Sequence, residues 1–592
     1  MEWRWPGPRW DPWFLGCWAA GCELAGRLLF PNWDVSYSLY GARFWMERGG
    51  PWMNVWPGLD LLLGSLAQLM GQPELAITIV GVLLNVGITL LVGALGKRLG
   101  LDRRLGLCAA LATGLWFKPP LGGWLGDHIS YSVALLPALG LALQGGKWNR
   151  WLGLLSGACL AYGLTLKLNN SGPGLLLSGL WIGAVLLGRH RWRCPSPGAI
   201  VGGLGWVALG GLAAGGIADR VAALPGGLYP RIIGTYTAVL HSQAATQAGW
   251  QKLLQLPLQI QLPEALRLHQ GGVLIFIPLV LTFWLALGWS LRQLTKGGPP
   301  GLRHATALLL LLSTALVGLT LGRGLTHRLF LLPAGLVFSL ADLPWPLPWR
   351  RLLATGFLGY LLATWLSFGW VQREAERQGG YNSRLLRADP RPAMLCLGNP
   401  PAAPAHTLVV QGEWLAEGHP QAGRCWSRQE VANQFAGLVD VQMLANQMGL
   451  SFRNQGVGAG DFREKWDWRQ STPQGRHQWV LEQAARINQL KLPYLLERLP
   501  LTKAELANPG YAAWATPRLQ QRHALAQALG GTAIARFGPI TLWRTRWANA
   551  KNLEVPECPS DSSIYIPNQP GLKNSGACPT SAQQPNILKI SN

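Results

Sequence analysis

Residues 74–98 read ELAITIVGVLLNVGITLLVGALGKR, an apolar run that ends at two cations, Lys97 and Arg98. The hydrocarbon core of a bilayer is about 30 Å thick, and a helix of about 20 apolar residues crosses it. The run therefore predicts a membrane-spanning helix that stops where charge begins. Similar runs recur through the first 370 residues and decide the fold class.

About eleven such segments are separated by short clusters of Gly, Pro, Arg and Lys. The predicted spans are residues 12–30, 74–96, 104–118, 128–145, 150–166, 172–188, 197–217, 271–291, 304–322, 327–342 and 351–370. The first span has the weakest signal, because Glu23 and Arg27 interrupt it. We predict an α-helical polytopic membrane protein whose transmembrane domain covers residues 1–370.

The cations orient these spans. The chain carries 51 Lys and Arg against 28 Asp and Glu, a net charge of +23. Most cations of the membrane domain fall in alternate short loops, which the positive-inside rule assigns to the cytoplasm. The chain is therefore predicted to be a multi-pass protein of the plasma (inner) membrane, with its C-terminal part on the extracytoplasmic side. A nucleic-acid partner is not expected, because no soluble basic face with aromatic platforms is visible.

Beyond residue 370 the polarity becomes that of a soluble protein. Short apolar runs alternate with amphipathic stretches at 371–547, which predicts a small extracytoplasmic α/β domain. The expected strands are 393–397, 407–411, 493–496, 533–537 and 540–544, and the expected helices are 428–448, 478–489 and 517–529. Residues 548–592 are rich in Pro, Ser and Asn, which indicates a disordered tail.

Four cysteines lie in this C-terminal part, at Cys396, Cys425, Cys558 and Cys578. In an oxidising compartment they can pair in any of three connectivities, and the sequence does not choose among them.

Carboxylates are scarce in this chain, so those at the predicted outer ends of the spans are site candidates. Asp34 is followed at roughly helical intervals by Tyr37 and Arg43, and Asp60 lies where the chain returns to the membrane. The alternative for the aromatic residues is an interfacial belt. Asp127 begins the fourth span, where a carboxylate also serves as a helix cap.

Cations on the predicted outer side form the second set of candidates. Lys167 lies at an outer helix end, where a snorkelling side chain is the alternative interpretation. Arg323, His327 and Arg328 are clustered where the positive-inside rule disfavours cations. Such groups suit a phosphate whose lipid tail lies in the bilayer, since they stabilise it as a leaving group. A nearby carboxylate would accept the proton of an attacking hydroxyl or amine.

This ordered set resembles the GT-C superfamily of integral-membrane glycosyltransferases, in particular the aminoarabinose-transferase and protein-O-mannosyltransferase group that uses polyprenyl-phosphate sugars. The sequence NWDVSYSLYGARFWMERGG at 32–50 is similar to the family's first outer loop, GLTLKLN at 163–169 to its Thr-Lys-Gly word, and THRLFLLPA at 326–334 to its Arg-Tyr-x-Leu-Pro segment. Asn32 and Trp33 stand where the family often has a second acid, which leaves Asp34 alone.

The resemblance implies a glycosyltransferase that moves a sugar from a polyprenyl-phosphate carrier to an acceptor glycan, lipid or protein at the outer membrane face. By carry-over, Asp34 is the general base or orients the acceptor, Asp127 is a second acid, and Lys167, Arg323, His327 and Arg328 bind the donor phosphate. The residues expected to bind the acceptor or to belong to the covering loop are Tyr37, Arg43, Asp60 and Arg231. Arg231 belongs to a loop at 218–270 that is expected to cover the cavity. A divalent cation, Mg or Mn, is a candidate cofactor with Asp34, Asp127 and His128 as ligands.

Two alternatives stay open. In the first alternative, the chain is a transporter or flippase of a lipid-linked or anionic substrate. In the second, it is a non-catalytic scaffold of the same fold. A transporter should carry charges along a mid-membrane pathway, whereas the spans apart from the first are clear of charge.

Overall fold

A computed structural model describes the helical part of the chain and much of the C-terminal part. The described residues are 11–29, 33–48, 57–117, 125–166, 168–189, 196–222, 227–230, 232–233, 273–296, 301–321, 330–379, 394–397, 407–410, 413–414, 424–437, 473–498, 523–537 and 540–545. The tail predicted at 548–592 lies outside them.

Each of the eleven predicted apolar segments coincides with a helix, and two further helices, α2 and α3, follow the first. The helices are α1 Asp11–Leu29, α2 Trp33–Arg48, α3 Pro57–Met70, α4 Pro73–Arg98, α5 Arg103–Trp116, α6 Leu125–Leu143, α7 Arg150–Thr165, α8 Leu168–Arg189, α9 Pro197–Ala222, α10 Val273–Lys296, α11 Gly301–Leu321, α12 Leu332–Leu340 and α13 Leu347–Gly379. The last of these continues past the predicted boundary at residue 370, and the division into domains stays a prediction.

Within the described residues, three helices are long and apolar enough to cross a membrane. They are Pro73–Arg98, Ser171–Gly188 and Ile200–Ala222. Membrane crossing by the other predicted spans stays a prediction.

The segment predicted as a span at 327–342 differs from expectation. Its helix, α12, has 9 residues, about 14 Å at the usual rise, and is too short to cross a bilayer alone. Residues 332–339 are all buried, so α12 is a half-helix inside the protein, packed mainly on α11 and α5 and also on α10. A continuous apolar run does not distinguish such a buried helix from a span.

The two charges that weaken the first span neutralise each other. Glu23 Oε1 accepts a hydrogen bond of 2.9 Å from Arg27 Nε, and both residues are buried. Arg27 Nη2 also donates to the carbonyl of Ile77 on α4, at 3.0 Å. Gly81 leaves the room for this, since a Cβ there would lie 2.4 Å from Arg27 Nη2. A paired and hydrogen-bonded charge is the form in which ionisable groups persist inside membranes.

Close backbone contact joins α7 and α9. A Cβ on Gly157 would lie 1.9 Å from the carbonyl oxygen of Val207, and one on Gly210 would lie 2.1 Å from that of Leu154. Small residues permit this approach, which replaces the hydrophobic driving force that is missing between helices in lipid.

Ion pairs fasten the ends of the helices that carry the Lys and Arg clusters. Arg103 Nη2 lies 2.6 Å from Asp11 Oδ1, which joins α5 to α1. Arg351 Nη2 lies 2.6 Å from Asp102 Oδ2, which joins α13 to the start of α5. The hydrogen bond from Arg351 holds the pKa of the Asp102 carboxyl below its usual value. These ion pairs hold α1, α5 and α13 together at the ends that are predicted to be cytoplasmic.

The C-terminal residues form two small sheets. The first has the order β2 (Thr407–Val410), β1 (Met394–Leu397), β4 (Cys425–Ser427). The second has the order β3 (Glu413–Trp414), β7 (Thr532–Phe537), β8 (Ile540–Arg544), β6 (Tyr494–Arg498), β5 (Phe435–Gly437). The predicted hairpin at 533–544 is confirmed, because β7 and β8 pair antiparallel. Two helices, α15 (Pro473–Gln489) and α16 (523–528), supply side chains to the core beside this sheet.

The helix predicted at 428–448 is wrong at Phe435–Gly437, and residues 438–448 lie outside the described residues. The helix α14 covers Arg428–Gln434, and Phe435–Gly437 is a strand that pairs with β6. Ser427 and Glu430 form a capping box at its start, so the helix signal there is real. Phe435 is completely buried in the sheet core, and this tertiary packing overrides the helical pattern.

The structure also selects one cysteine connectivity. Cys396 on β1 and Cys425 on β4 occupy paired positions and form a disulfide. Cys558 and Cys578 lie outside the described residues.

Candidate functional site

The helices α2 and α3 meet at Gly41 and Asp60. Asp60 lies in the first turn of α3 and is 4% exposed. A Cβ on Gly41 would lie 2.3 Å from Asp60 Oδ1, so only glycine lets this carboxylate lie against α2. Asp34 and Tyr37 belong to α2, but their side chains are outside the described part of the structure.

Arg43, also on α2, faces α4. Its guanidinium forms an ion pair with Glu74, in the first turn of α4. Arg43 is 4% exposed, whereas the Glu74 side chain is 37% exposed. Arg43 therefore anchors α2 to α4, a contact that the prediction of an acceptor-binding role did not include.

Asp127 and His128 occupy the first turn of α6, and each is 1% exposed. The His128 ring packs against Phe117 at 4.4 Å and against Phe330 at 4.9 Å between centroids. Phe117 follows the end of α5 and Phe330 precedes α12. The imidazole is thus enclosed by aromatic rings from two other parts of the chain.

The end of α7 packs on the start of α3. Tyr162 donates its hydroxyl hydrogen to the carbonyl of Gly58 at 2.9 Å. A Cβ on Gly58 would lie 2.1 Å from Thr165 Oγ1. Leu166, which immediately precedes Lys167, is 1% exposed. The residue before Lys167 is therefore buried in the protein.

Several predicted site residues lie outside the described residues. They are Lys167, Arg231, Arg323, His327 and Arg328.

One buried apolar cluster nevertheless connects the neighbours of the candidate residues. It contains Leu59 beside Asp60, Ile129 beside His128, Leu166 beside Lys167 and Ile232 beside Arg231, together with Leu39, Tyr40, Ala42 and Phe44 of α2. Four parts of the sequence that are far apart in the chain therefore share one buried cluster with residues of α2. The acids beside these cluster residues, Asp60 and Asp127, were conspicuous in the sequence because carboxylates are scarce in this chain.

The sequence did not indicate Glu74, Thr165, Phe117 or Phe330. Glu74 resembles an ordinary acid at a helix start, and Phe117 and Phe330 resemble core residues of spans. Only the folded arrangement shows that they hold the candidate residues in place.

A metal site with Asp34, Asp127 and His128 stays a prediction. Among the side chains that the structure describes, no group of three or more His, Cys, Asp or Glu residues is arranged to hold a metal ion. Asp34 is not among those side chains.

Comparison with known proteins gives a distant likeness. No protein-family model and no curated protein matches the chain. Among solved structures, the Archaeoglobus fulgidus oligosaccharyltransferase, crystallised with a tethered acceptor peptide containing the NVT sequon, is similar at 12% identity and a TM-score of 0.34. The match covers 87% of this chain and 72% of that one. A likeness at this level assigns no family.

Proposed function

We propose that the protein is a glycosyltransferase that takes a sugar from a polyprenyl-phosphate carrier and transfers it to an acceptor at the outer membrane face. The observation that carries the proposal is one buried cluster that contains the sequence neighbours of Asp60, His128, Lys167 and Arg231 together with residues of α2. A hydroxyl acceptor and an anionic donor need acids and cations in one place, and the cluster supports the proposal that these residues supply them.

The segment with three cations precedes Phe330 in the sequence. Phe330 packs on His128 and follows Arg328 by two residues, so the two Cα atoms are at most about 7 Å apart. In the proposal, Arg323, His327, Arg328 and Lys167 bind the donor phosphate. Asp34 accepts the proton of the acceptor, and Asp127 is a second acid near the reacting bond.

One observation argues against the transporter alternative. Buried polar groups away from the helix ends are used for packing: Asn85 Nδ2 donates to the carbonyls of Ala19 at 2.9 Å and Gly114 at 3.0 Å. Glu23 and Arg27 pair with each other. Within the described helices these groups join α1, α4 and α5 and form no series of charges across the membrane.

The test measures transfer from a panel of radiolabelled polyprenyl-phosphate monosaccharides in membranes that contain the full chain. We expect Asp34→Asn to lower the rate at least 100-fold, because amide and carboxylate have the same shape and only the base is lost. The matched control is Asp11→Asn, another acid in a first helical turn, which pairs with Arg103 at the opposite face.

A cation control is also present in the chain. Lys167→Ala should raise the KM for the donor, whereas Lys147→Ala, in an exposed loop on the predicted cytoplasmic side, should not. If the wild type transfers no sugar from any donor of the panel, or Asp34→Asn is as active as the wild type, the proposed mechanism is wrong.

A further inference from the structure

A second buried polar network lies away from the candidate site, at the predicted cytoplasmic ends of α10, α11 and α12. It consists of Ser290 on α10, His304 on α11, Ser339 on α12 and Asp342 just after α12. The Ser290, His304 and Ser339 residues are completely buried. The proposed transfer reaction uses none of these groups.

Four short contacts connect these groups in a chain. Asp342 Oδ2 lies 2.9 Å from His304 Nε2, and His304 Nδ1 lies 3.3 Å from Ser290 Oγ. Ser290 Oγ lies 2.8 Å from Ser339 Oγ, and Ser339 Oγ lies 2.6 Å from the carbonyl oxygen of Ala286. Each contact joins two electronegative atoms and needs one proton between them.

The number of protons fixes the charge on His304. The two serine hydroxyls supply two protons, and the Ala286 carbonyl supplies none. A neutral imidazole adds one, which leaves one contact as a repulsion between lone pairs. An imidazolium adds two, and all four contacts are then hydrogen bonds. A proton on Asp342 would also complete the count, so the surroundings of that carboxyl decide.

The surroundings of Asp342 favour its ionised form. Arg303 Nη2 lies 2.5 Å from Oδ2, and Trp289 Nε1 donates to Oδ1 at 3.2 Å. Arg350 donates to the neighbouring carbonyl of Ala341, and Arg292 stacks over Trp289 at 5.8 Å. The carboxyl thus faces donors and cations, which stabilise a carboxylate.

We infer that His304 is held as an imidazolium between Asp342 and Ser290 and acts as a positioning residue for α12. This rigid half-helix is about 14 Å long. Its far end is fixed by Ser339 and Asp342 to the His304 network, and its near end follows Phe330, which packs on His128. Loss of the network frees the far end of α12 and therefore moves the near end against the candidate site.

The protonation state is testable without any enzymatic activity. The full chain, labelled with ¹⁵N-histidine and reconstituted in phosphatidylcholine nanodiscs, is studied by solid-state NMR at pH 7.5, where a free imidazole is about nine-tenths neutral. His304→Gln identifies the signal among the 10 histidines. We expect both ring nitrogens to be protonated, and the neutral form in Asp342→Asn. A neutral His304 in the wild type would overturn the inference.

The positioning role rests on the proposed function and has its own readouts. His304→Gln should raise the KM for the polyprenyl-phosphate donor about tenfold and change kcat less than about twofold, because the binding segment moves while the acids stay. Ser290→Ala, a milder variant, should show a smaller effect in the same direction. Thr306→Val is the matched control, since Thr306 is also buried on α11 but bonds only to Leu302 of its own helix.

Hydrogen exchange of residues 330–340 separates the two hypotheses. His304→Gln should accelerate exchange there at least tenfold compared with Thr306→Val, whether or not sugar is transferred. If the wild type transfers nothing but exchange and NMR behave as expected, the proposed function fails and the positioning role of His304 stands. Unchanged exchange, or an unchanged KM in an active protein, would show that His304 does not position α12.

Discussion

Gly41→Ala is the change that tests the candidate site most directly, because it adds one methyl group at the contact between α2 and α3. The new Cβ would lie 2.3 Å from Asp60 Oδ1 and 3.1 Å from its Cγ. Ordinary contact begins at about 3.4 Å, so the carboxylate must move by about 1.1 Å. The obstacle is a side-chain end, and alanine is a better helix former than glycine by about 1 kcal/mol. We therefore expect the variant to fold.

The consequence should appear in catalysis. A displacement of about 1 Å of a group that orients substrate costs about 100-fold in rate, or about 2.7 kcal/mol of transition-state stabilisation. We expect this loss in kcat/KM for sugar transfer, measured with the radiolabelled donor on purified protein. Thermal unfolding followed on the same samples reports folding independently.

Gly87→Ala is the control for this experiment. Gly87 lies within α4, and a Cβ there would meet no atom within 4 Å. The control gains the same helix propensity without a contact and should retain wild-type activity. If Gly41→Ala has the activity of Gly87→Ala, Asp60 does not contribute to the site and the buried cluster with residues of α2 has no catalytic meaning.

Three further predictions concern stability. Gly157→Ala places a Cβ 1.9 Å from a backbone oxygen of α9, so the midpoint of its thermal unfolding in detergent should fall. Gly205→Ala is the control, because a Cβ there meets nothing within 4 Å, and its midpoint should not fall. Replacing both Cys396 and Cys425 by Ser opens a loop with a separation of 29 residues and should cost about 3–4 kcal/mol of unfolding free energy relative to the oxidised wild type, whereas the reduced wild type should be about as stable as the variant. Burial lowers the pKa of His523, so the wild type should lose stability as pH falls below about 6.5, and His523→Gln should lose less over that window.

The helices were predictable because their signal is local. An apolar run such as 74–96 needs no partner to be recognised, and the start of α5 carries its cap in sequence, where Asp102 accepts from the backbone of Arg104 at 3.1 Å. Whether an apolar run crosses the membrane or is buried inside the protein was not predictable. The run at 327–342 has the composition of a span, but its described part contains only the short helix α12, whose neighbours α11, α5 and α10 provide an apolar environment inside the protein.

Some residues of the candidate site could be selected from local sequence, and their roles stay predictions. Asp60, Asp127 and His128 are conspicuous in sequence, because buried polar groups at helix ends are uncommon in such a chain. The contacts that hold them are not conspicuous. Glu74 acquires its meaning only from Arg43, which is 31 residues away, and Phe330 only from His128. Local patterns do not encode such pairs, since they depend on how helices cross.

The contacts that hold α2 at Gly41 and Arg43 also set the position of Asp34 at the start of the helix. The helix is held at Gly41 by the Asp60 carboxylate and at Arg43 by Glu74. The backbone of Asp34 lies seven residues before Gly41, about 10 Å along a straight helix. A small tilt at the fixed points is therefore transmitted along that length to the Asp34 position. Variants at Gly41 or Glu74 should thus impair transfer as a base substitution does, although neither residue has acid–base chemistry in the proposed reaction.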